Sequence, residues 1–374
     1  MSNVTLIVLC AGNSTRFEHK VKKQWLRIEN EPLWVNVTKR LCSYYSFSNI
    51  IITSHTDELS YMENFFDDAK YICGGSTRQE SIKNSLEHVQ TDHVMITDVA
   101  RACIPKEVVL DLISLKDRFD CVVPTLNVSD TVVYNSSTIN RDHVKLIQTP
   151  QLSKTSKLKT ALKTKEEFTD ESSAIKAING TVEYTKGSLQ SKKLTFGDEL
   201  KDINCLKAPS NNFFTGFGID IHKFEENKKM YLGGVHIPCD YGFKAHSDGD
   251  VVIHSIIDSL LGATGAGDIG EFFPDDDPKY KGLDSKILLK EIVDFIYKVG
   301  YEIVNIDLTI LAQQPKINPF KNEIKKSLST LLSIDKPFIN IKATTNENMG
   351  FIGRKEGIAV HSVSTLKYYN WKRT

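Results

Sequence analysis

"VTLIVLCAGNSTRF", Val4 to Phe17, opens with a strand-like apolar run and closes in the glycine and polar cluster that turns a strand toward a helix. Comparable β-rich runs follow as "NIIITS" from Asn49, "HVMITDVA" from His93 and "DCVVPTL" from Asp120. Helical patterns separate them: "PLWVNVTKRLCSYY", "TRQESIKNSLEHV" and "PKEVVLDLISLKDRF". Strand alternating with helix predicts an α/β fold, with a mostly parallel sheet covered on both faces and ligands at the carboxyl ends of its strands.

That unit cannot account for 374 residues, a length that suggests two domains. "APSNN", Ala208 to Asn212, has linker composition. We expect a first domain over 1–207, a linker over 208–213 and a second domain over 214–374. The second domain reads as strands at "FGIDIH", "NIDLTILAQ", "INIKATT" and "GIAVHSVSTLKY", with helices at "VVIHSIIDSLLGA", "SKILLKEIVDFIYKVG" and after Pro319. It is a compact α/β or α+β unit.

Lys and Arg number 47, as do Asp and Glu, so no global field recruits nucleic acid or an anionic membrane. Anionic ligands must be caught by local cations. The seven cysteines show no CxxC pair and no regular spacing, which predicts reduced thiols and no disulfides. The N-terminal apolar run has no basic leader, and no run approaches the roughly 18 apolar residues of a membrane span. A soluble, cytoplasmic protein is expected.

The first turn places Arg16, Lys20, Lys22 and Lys23 just after a strand. Backbone N–H groups and basic side chains there suit a phosphate, although a solvated turn has the same look. It is neither a Walker loop nor GxGxxG. "GGSTRQES" from Gly74, "TDVAR" from Thr97, "QTPQ" from Gln148 and Lys193 before "LTF" follow in order. This series resembles the 2-C-methyl-D-erythritol 4-phosphate cytidylyltransferases of non-mevalonate isoprenoid synthesis, over nearly all of residues 1–207.

The resemblance implies a Rossmann-like nucleotidyltransferase sheet. Its reaction joins CMP from CTP to methylerythritol phosphate and releases pyrophosphate, with Mg²⁺ (or Mn²⁺) on the triphosphate. Arg16, Lys23 and Lys193 would stabilise the reacting phosphate and the leaving group. Gly75 and Ser81 would line the cytosine pocket. Asp98 and Arg101 would hold the sugar phosphate, with Arg141 and Thr149 reaching across a dimer interface. Ser14 stands where that family usually has glycine, and Ala102 where it has proline. A glycine-to-serine change at a φ-sensitive turn restricts backbone freedom.

"AHSDGDVVIH", Ala245 to His254, gathers acids and histidines before a helix. In "GIDIH", strand alternation puts Asp220 and His222 on one face. With His254 they offer one oxygen and two nitrogen donors and leave a position open, the pattern of a catalytic zinc. Packed or surface histidines beside a helix cap are the plain alternative. "LGGVHIP", "DSLLGA", "GDIGEFFPDDDP", "AQQPK" and "KATTNENMGFIGRKEGIAV" then complete an ordered series. It resembles the 2-C-methyl-D-erythritol 2,4-cyclodiphosphate synthases across 214–368.

That resemblance implies Zn²⁺ on Asp220, His222 and His254, Mg²⁺ on Glu347, and closure of the cyclic diphosphate with loss of CMP. The substrate's terminal phosphate attacks the inner phosphate of its diphosphate. Thr345 would hold a phosphate oxygen, Asp268 and Gly270 the ribose, and Ala312 to Lys316 the cytosine. His246, Ser247 and Asp275 would meet the methylerythritol phosphate. Asp248 and Asp250 would support the ligands, and Arg354 would form a structural ion pair. The implied assembly is a dimeric first domain on a trimeric second, closing into a homohexamer. A separate kinase acts between the two steps and is a candidate partner. Two other readings compete: a cyclase-like half serving only as an oligomerisation scaffold, and a first half acting as a pyrophosphorylase for another sugar phosphate.

Overall fold

Val4–Leu9 forms β1, buried over its first five residues. The computed structural model describes residues 3–245, 247–274, 276–280 and 282–372. One unit runs to Pro209 and is joined by the last residues from Asn370; the other is Ser210–Tyr369.

In the first unit β1 is followed by β2 (Asn49–Ser54), β3 (Lys70–Cys73), β4 (His93–Asp98), β5 (Cys121–Asn127), β6 (Lys145–Ile147), β7 (Gln151–Lys154) and β8 (Val182–Lys186). They form an eight-stranded sheet in the order β6-β5-β7-β4-β1-β2-β3, with β8 also on β5. The β1, β2, β3 and β4 pairings are parallel, as is β8 with β5. However, β7 runs antiparallel between β4 and β5, and β6 is antiparallel to β5, so the sheet is mixed. Between β5 and β6 the chain makes a hairpin, Val132–Tyr134 with Ser137–Ile139, in place of a crossover helix. Without a crossover, the returning strand runs antiparallel.

Helices α1 (Leu33–Tyr44), α2 (Arg78–Leu86), α3 (Lys106–Ser114), α4 (Thr155–Ala161) and α5 (Glu171–Ala177), with a short helix at Leu59–Glu63, accompany the sheet. Ile82 of α2, Leu158 of α4 and Ile175 of α5 pack with Ile7, Ile96 and Val123 of the sheet. The turn after β1 departs from the strand-to-helix reading. It makes only a 3₁₀ turn, Thr15–Phe17, and the first α-helix waits until Leu33. Ser14 takes the left-handed backbone, φ 55°, that glycine would adopt without a side-chain penalty.

The expectation of seven free thiols is also corrected. Cys103 and Cys205 are paired as a disulfide, Cα atoms 6.0 Å apart. The Arg40 side chain links the same two segments, donating to the Ala102 carbonyl and to Cys205 Sγ. The partners lie 102 residues apart, so spacing along the chain carried no signal.

The chain's end returns to the first unit. Trp371 is 1% exposed and its Nε1–H donates to the Arg27 carbonyl at 2.7 Å. Trp371→Ala empties a buried site of indole size, and large-to-small changes of this kind cost about 3–5 kcal/mol. We expect the first unit to melt earlier in a calorimetric scan, with cytidylyl transfer lost at a lower temperature than in the parent chain.

The second unit carries β9 (Phe213–Glu226), β10 (Tyr241–Phe243), β11 (Tyr301–Leu311), β12 (Ile339–Thr344) and β13 (Gly357–Tyr368) in a five-stranded sheet, order β10-β9-β13-β11-β12. Helices α6 (Val251–Thr264), α7 (Ser285–Lys298) and α8 (Lys321–Leu332) accompany it. No described helix is long and apolar enough to cross a membrane.

Alternation along β9 separates two faces. Gly216 and Gly218 are buried, while Phe213, Phe217, Ile219 and Ile221 are exposed. The glycines admit α6: a Cβ on Gly218 would lie 2.0 Å from the Ser255 carbonyl oxygen, and one on Gly216 2.0 Å from that of Ser259. Gly218→Ala must therefore displace the helix that carries His254. Overpacking of this sort costs about 1–3 kcal/mol. The expected result is a lower melting temperature together with weaker metal binding by the second unit.

Candidate active sites

In the first unit a buried charge cluster forms where β4 ends. Asp98, 8% exposed, accepts from Arg78 Nε at 3.0 Å and from Lys193 Nζ at 2.7 Å. Arg78 also donates to Glu171 Oε1 at 2.7 Å. Burial alone would raise the Asp98 pKa, but Arg78 and Lys193 outweigh it and hold the carboxyl far below its usual range. The Asp98 N–H donates to Thr149 Oγ1, and Arg101 donates to the carbonyls of Ser191 and Ile147. The pieces therefore come from five separate stretches of chain.

Lys23 lies beside this group and donates to the Leu194 carbonyl at 3.2 Å. Its pKa is lowered, first by burial and then by the charges of Lys193 and Arg16. Crowded cations whose mutual repulsion is felt in this way are arranged for a polyanion, and a triphosphate supplies the missing charge. The turn itself is tied down, with Lys23 N–H on Ser14 Oγ at 3.0 Å and Gln24 Nε2 on the Gly12 carbonyl at 3.1 Å.

The second glycine turn closes on α2. Gly75 N–H donates to Ser81 Oγ at 3.0 Å, and Thr77 caps the helix by accepting from Glu80 N–H. A Cβ on Gly74 would fall 2.3 Å from the Ala11 side chain, so this turn and the first one need that glycine in order to meet. Arg141 stands apart on the exposed turn Arg141–His143, where it donates to the Ser129 carbonyl. Among the described residues it makes no hydrogen bond or ion pair with the Asp98 group.

In the second unit β9 and α6 bring Asp220, His222 and His254 together, with one ligand atom from each within 4.8 Å of the others. Asp220 Oδ2 is 3.2 Å from His222 Nε2 and 3.1 Å from His254 Nδ1. The far nitrogens are held too: His222 Nδ1 by the Gly249 carbonyl at 2.9 Å, His254 Nε2 by Ser285 Oγ at 2.9 Å. Burial would lower the His254 pKa, yet the hydrogen bond and charge of Asp220 raise it. The pocket draws positive charge, and its one-oxygen, two-nitrogen donor set suits a divalent transition metal.

Asp250 is the N-cap of α6 and is wholly buried. It accepts from the N–H groups of Gly233, Gly234, Val252 and Ile253, so its oxygens are committed to backbone. Ser247 sits against His254 Nε2 at 3.4 Å and accepts from Gly249 N–H. His246 and Asp275 lie outside the described residues.

A further group gathers where β11 and β12 end side by side. Ala312 N–H donates to the Thr344 carbonyl at 3.0 Å, and Thr345 Oγ1 donates to Glu347 Oε1 at 2.7 Å. Asn348 N–H reaches Gln313 Oε1, which joins the loop of Ala312 and exposed Lys316 to that of Glu347. Asp268 caps the short helix Ile269–Phe272, which contains Gly270. Arg354 pairs with Glu356 on the surface, as its structural reading expects. Sequence reasoning passed over Arg78, Glu171 and Ser285. Arg78 stood inside a quoted motif, but nothing local showed that it turns toward Asp98.

A nucleotidyltransferase-type α/β unit with a cation cluster, joined to a second α/β unit with a metal-type triad, defines a two-site enzyme of phosphate-ester chemistry. Family models agree with this division: 2-C-methyl-D-erythritol 4-phosphate cytidylyltransferase matches residues 4–205, and the YgbB family matches 213–367. The chain is 69% identical over 373 residues to the bifunctional enzyme IspD/IspF of Aliarcobacter butzleri, covering 100% of both chains. It is 51% identical over 372 residues to that of Campylobacter fetus, covering 100% of this chain and 99% of the relative. The solved structure of the bifunctional IspDF from Campylobacter jejuni superposes with a TM-score of 0.90 at 47% identity, over 100% of both chains. This chain belongs to the bifunctional IspD/IspF enzymes, with a cytidylyltransferase and a cyclodiphosphate synthase in one polypeptide. Relatives that span both halves leave the scaffold and other-sugar readings without support.

Proposed function

We propose the following division of labour for the two reactions. The chain joins CTP to methylerythritol phosphate in its first unit and closes the cyclic diphosphate with loss of CMP in its second. The observation that carries the first assignment is the cation group of Lys23, Lys193 and Arg16 beside Asp98, where burial first, and then the charges of Lys193 and Arg16, lower the Lys23 pKa. Arg16 and Lys23 stabilise the triphosphate, and Lys193 bridges from Asp98 to the reacting phosphate. Asp98 and Arg101 orient the methylerythritol phosphate, while Gly75 and Ser81 accept the cytosine. The attacking oxygen is already anionic, so catalysis here rests on positioning and charge, with no general base. Mg²⁺ travels on the triphosphate.

In the second unit Asp220 Oδ2, His222 Nε2 and His254 Nδ1 would hold Zn²⁺, which would supply Lewis acidity and a template for the attacking phosphate. Glu347, an exposed carboxylate, would hold Mg²⁺, which would neutralise charge on the phosphates. Thr345 places a phosphate oxygen, Ser247 meets the methylerythritol phosphate, Asp268 and Gly270 hold the ribose, and Ala312 to Lys316 frame the base.

The assembly is a homohexamer in which first units pair and second units form trimers. Exposed Val133, Tyr134 and Ile139 near Arg141 support the first contact, and the outer face of β9 with Phe213, Phe217, Ile219 and Ile221 supports the second. A patchwork of this kind is what a subunit contact covers. Cytoplasmic placement is part of the same reading.

The test is a phosphorus NMR record of the full chain with CTP, methylerythritol phosphate and Mg²⁺, then with the 2-phosphorylated product and Zn²⁺. Paired diphosphate signals with free pyrophosphate, followed by cyclic diphosphate with CMP, are expected. An unchanged spectrum in either stage overturns that half. Equilibrium sedimentation giving the mass of one chain overturns the hexamer.

A further inference from the structure

Each histidine of the triad has one nitrogen facing Asp220 and one facing away. For His222 the far contact is a carbonyl, which can only accept, so Nδ1 carries the proton and Nε2 presents its lone pair. For His254 the short far contact is the Ser285 hydroxyl at 2.9 Å, with the Ser247 hydroxyl further off at 3.4 Å, and a hydroxyl can donate or accept. The proton on that ring is therefore set one step further out. Ser285 Oγ–H donates to Asp248 Oδ1, and Ser285 N–H donates to Asp248 Oδ2 at 3.3 Å.

A carboxylate only accepts, and a hydroxyl has a single proton to give. With that proton committed to Asp248, Ser285 Oγ can only accept from His254, which places the ring proton on Nε2 and the lone pair on Nδ1, facing Asp220. Ser285 is fully buried at the start of α7, with Asp284 as the helix cap, so helix geometry fixes the hydroxyl's position.

We propose that Ser285 and Asp248 are a positioning pair which sets the metal-binding tautomer of His254. Through it they set the metal affinity of the second unit. The inference rests on the reading of Asp220, His222 and His254 as a metal site. Neither residue touches substrate; they act through His254. Outer partners of metal-bound histidines commonly alter affinity by about 10–100-fold.

The experiment measures Zn²⁺ affinity of the metal-free full-length chain by competition with a chromophoric chelator, alongside the visible spectrum of the Co²⁺-loaded protein and the melting temperature without metal. Asp248→Asn is the main variant, because the shape is kept while an amide N–H can face Ser285 and turn its hydroxyl proton toward Nε2. Ser285→Ala removes the relay, and Ser285→Thr retains a hydroxyl. We expect Zn²⁺ affinity to fall about 10–100-fold in Asp248→Asn and Ser285→Ala and to return in Ser285→Thr. The cobalt spectrum should change while the metal-free melting temperature of Asp248→Asn stays near that of the parent.

Parent-like affinity in Asp248→Asn overturns the proposal, even if Ser285→Ala fails to fold. A loss that only follows a lowered melting temperature, with an unaltered cobalt spectrum, overturns it as well by making the role structural. His254→Ala separates the two layers. If it loses Zn²⁺ while Asp248→Asn does not, the metal site stands and the relay falls; if it binds like the parent, the metal-site reading itself falls.

Discussion

His254→Ala is expected to abolish release of CMP from the cyclase substrate and to reduce Zn²⁺ binding to background, with pyrophosphate release from CTP continuing. The reason is geometric. Two of the three ligand atoms come from one strand, where alternation fixes their spacing, and the third is the only one supplied by α6. Removing it leaves Asp220 and His222, a pair too poor in donors to complete a four-coordinate site with a substrate position. Asp220 would also lose the ring nitrogen that faces its Oδ2 at 3.1 Å, keeping His222 Nε2 and the Ile221 N–H. Metal analysis of the purified variant, with both reactions followed by phosphorus NMR, checks this. Retained cyclisation with zinc absent would show that the triad is not the reacting centre.

Asp98→Asn should have the opposite selectivity. Asn is close in shape but neutral, so Lys193 loses the carboxylate that holds it and Arg78 is left with Glu171 alone. Cytidylyl transfer is expected to fall by about 10²–10³-fold, the scale seen when a preorganised charge contact is removed. Cyclisation should be unaffected at temperatures where the first unit remains folded.

The same carboxylate has a pH signature. Its folded pKa is depressed, so its stabilising contribution is fully present above the unfolded aspartate value, about 4. It is lost as pH falls below that value toward the folded one. The parent should therefore lose stability in acid more steeply than Asp98→Asn, which has already lost that contribution at neutral pH. Denaturant midpoints of both proteins at a series of acid pH values measure the difference. Parallel curves would mean that Asp98 is not held as an ion.

Much of this was legible in short stretches. Strand and helix runs were visible because their burial follows periods of 2 and 3.6, and β1, β2, β4, α1 and α6 fall where those periods change. The β9 pair Asp220 and His222 was legible for the same reason. Reading failed where partners are remote or the signal is a conformation. The turn at Ser14 looked like a helix start and makes only a 3₁₀ turn. The strand Gln151–Lys154 is too short to announce its direction, and its antiparallel place between β4 and β5 follows from what the chain does before it. The Cys103–Cys205 pair depended on two loops meeting across a separation of 102 residues.

Composition, local periodicity and ordered motifs were enough for the fold class, the two chemistries and the grouping of Asp220, His222 and His254 that the fold brings together, because each is written within a few turns of helix or one strand. They could not say that Arg78 leans on Asp98, that Ser285 supports His254, or that Trp371 packs in the first unit after the chain has passed through the second. Those contacts join residues 20, 31 and 344 positions apart. Their geometry depends on how whole elements pack, and in particular on Gly216 and Gly218, which let α6 approach β9 closely enough for three ligand atoms to converge.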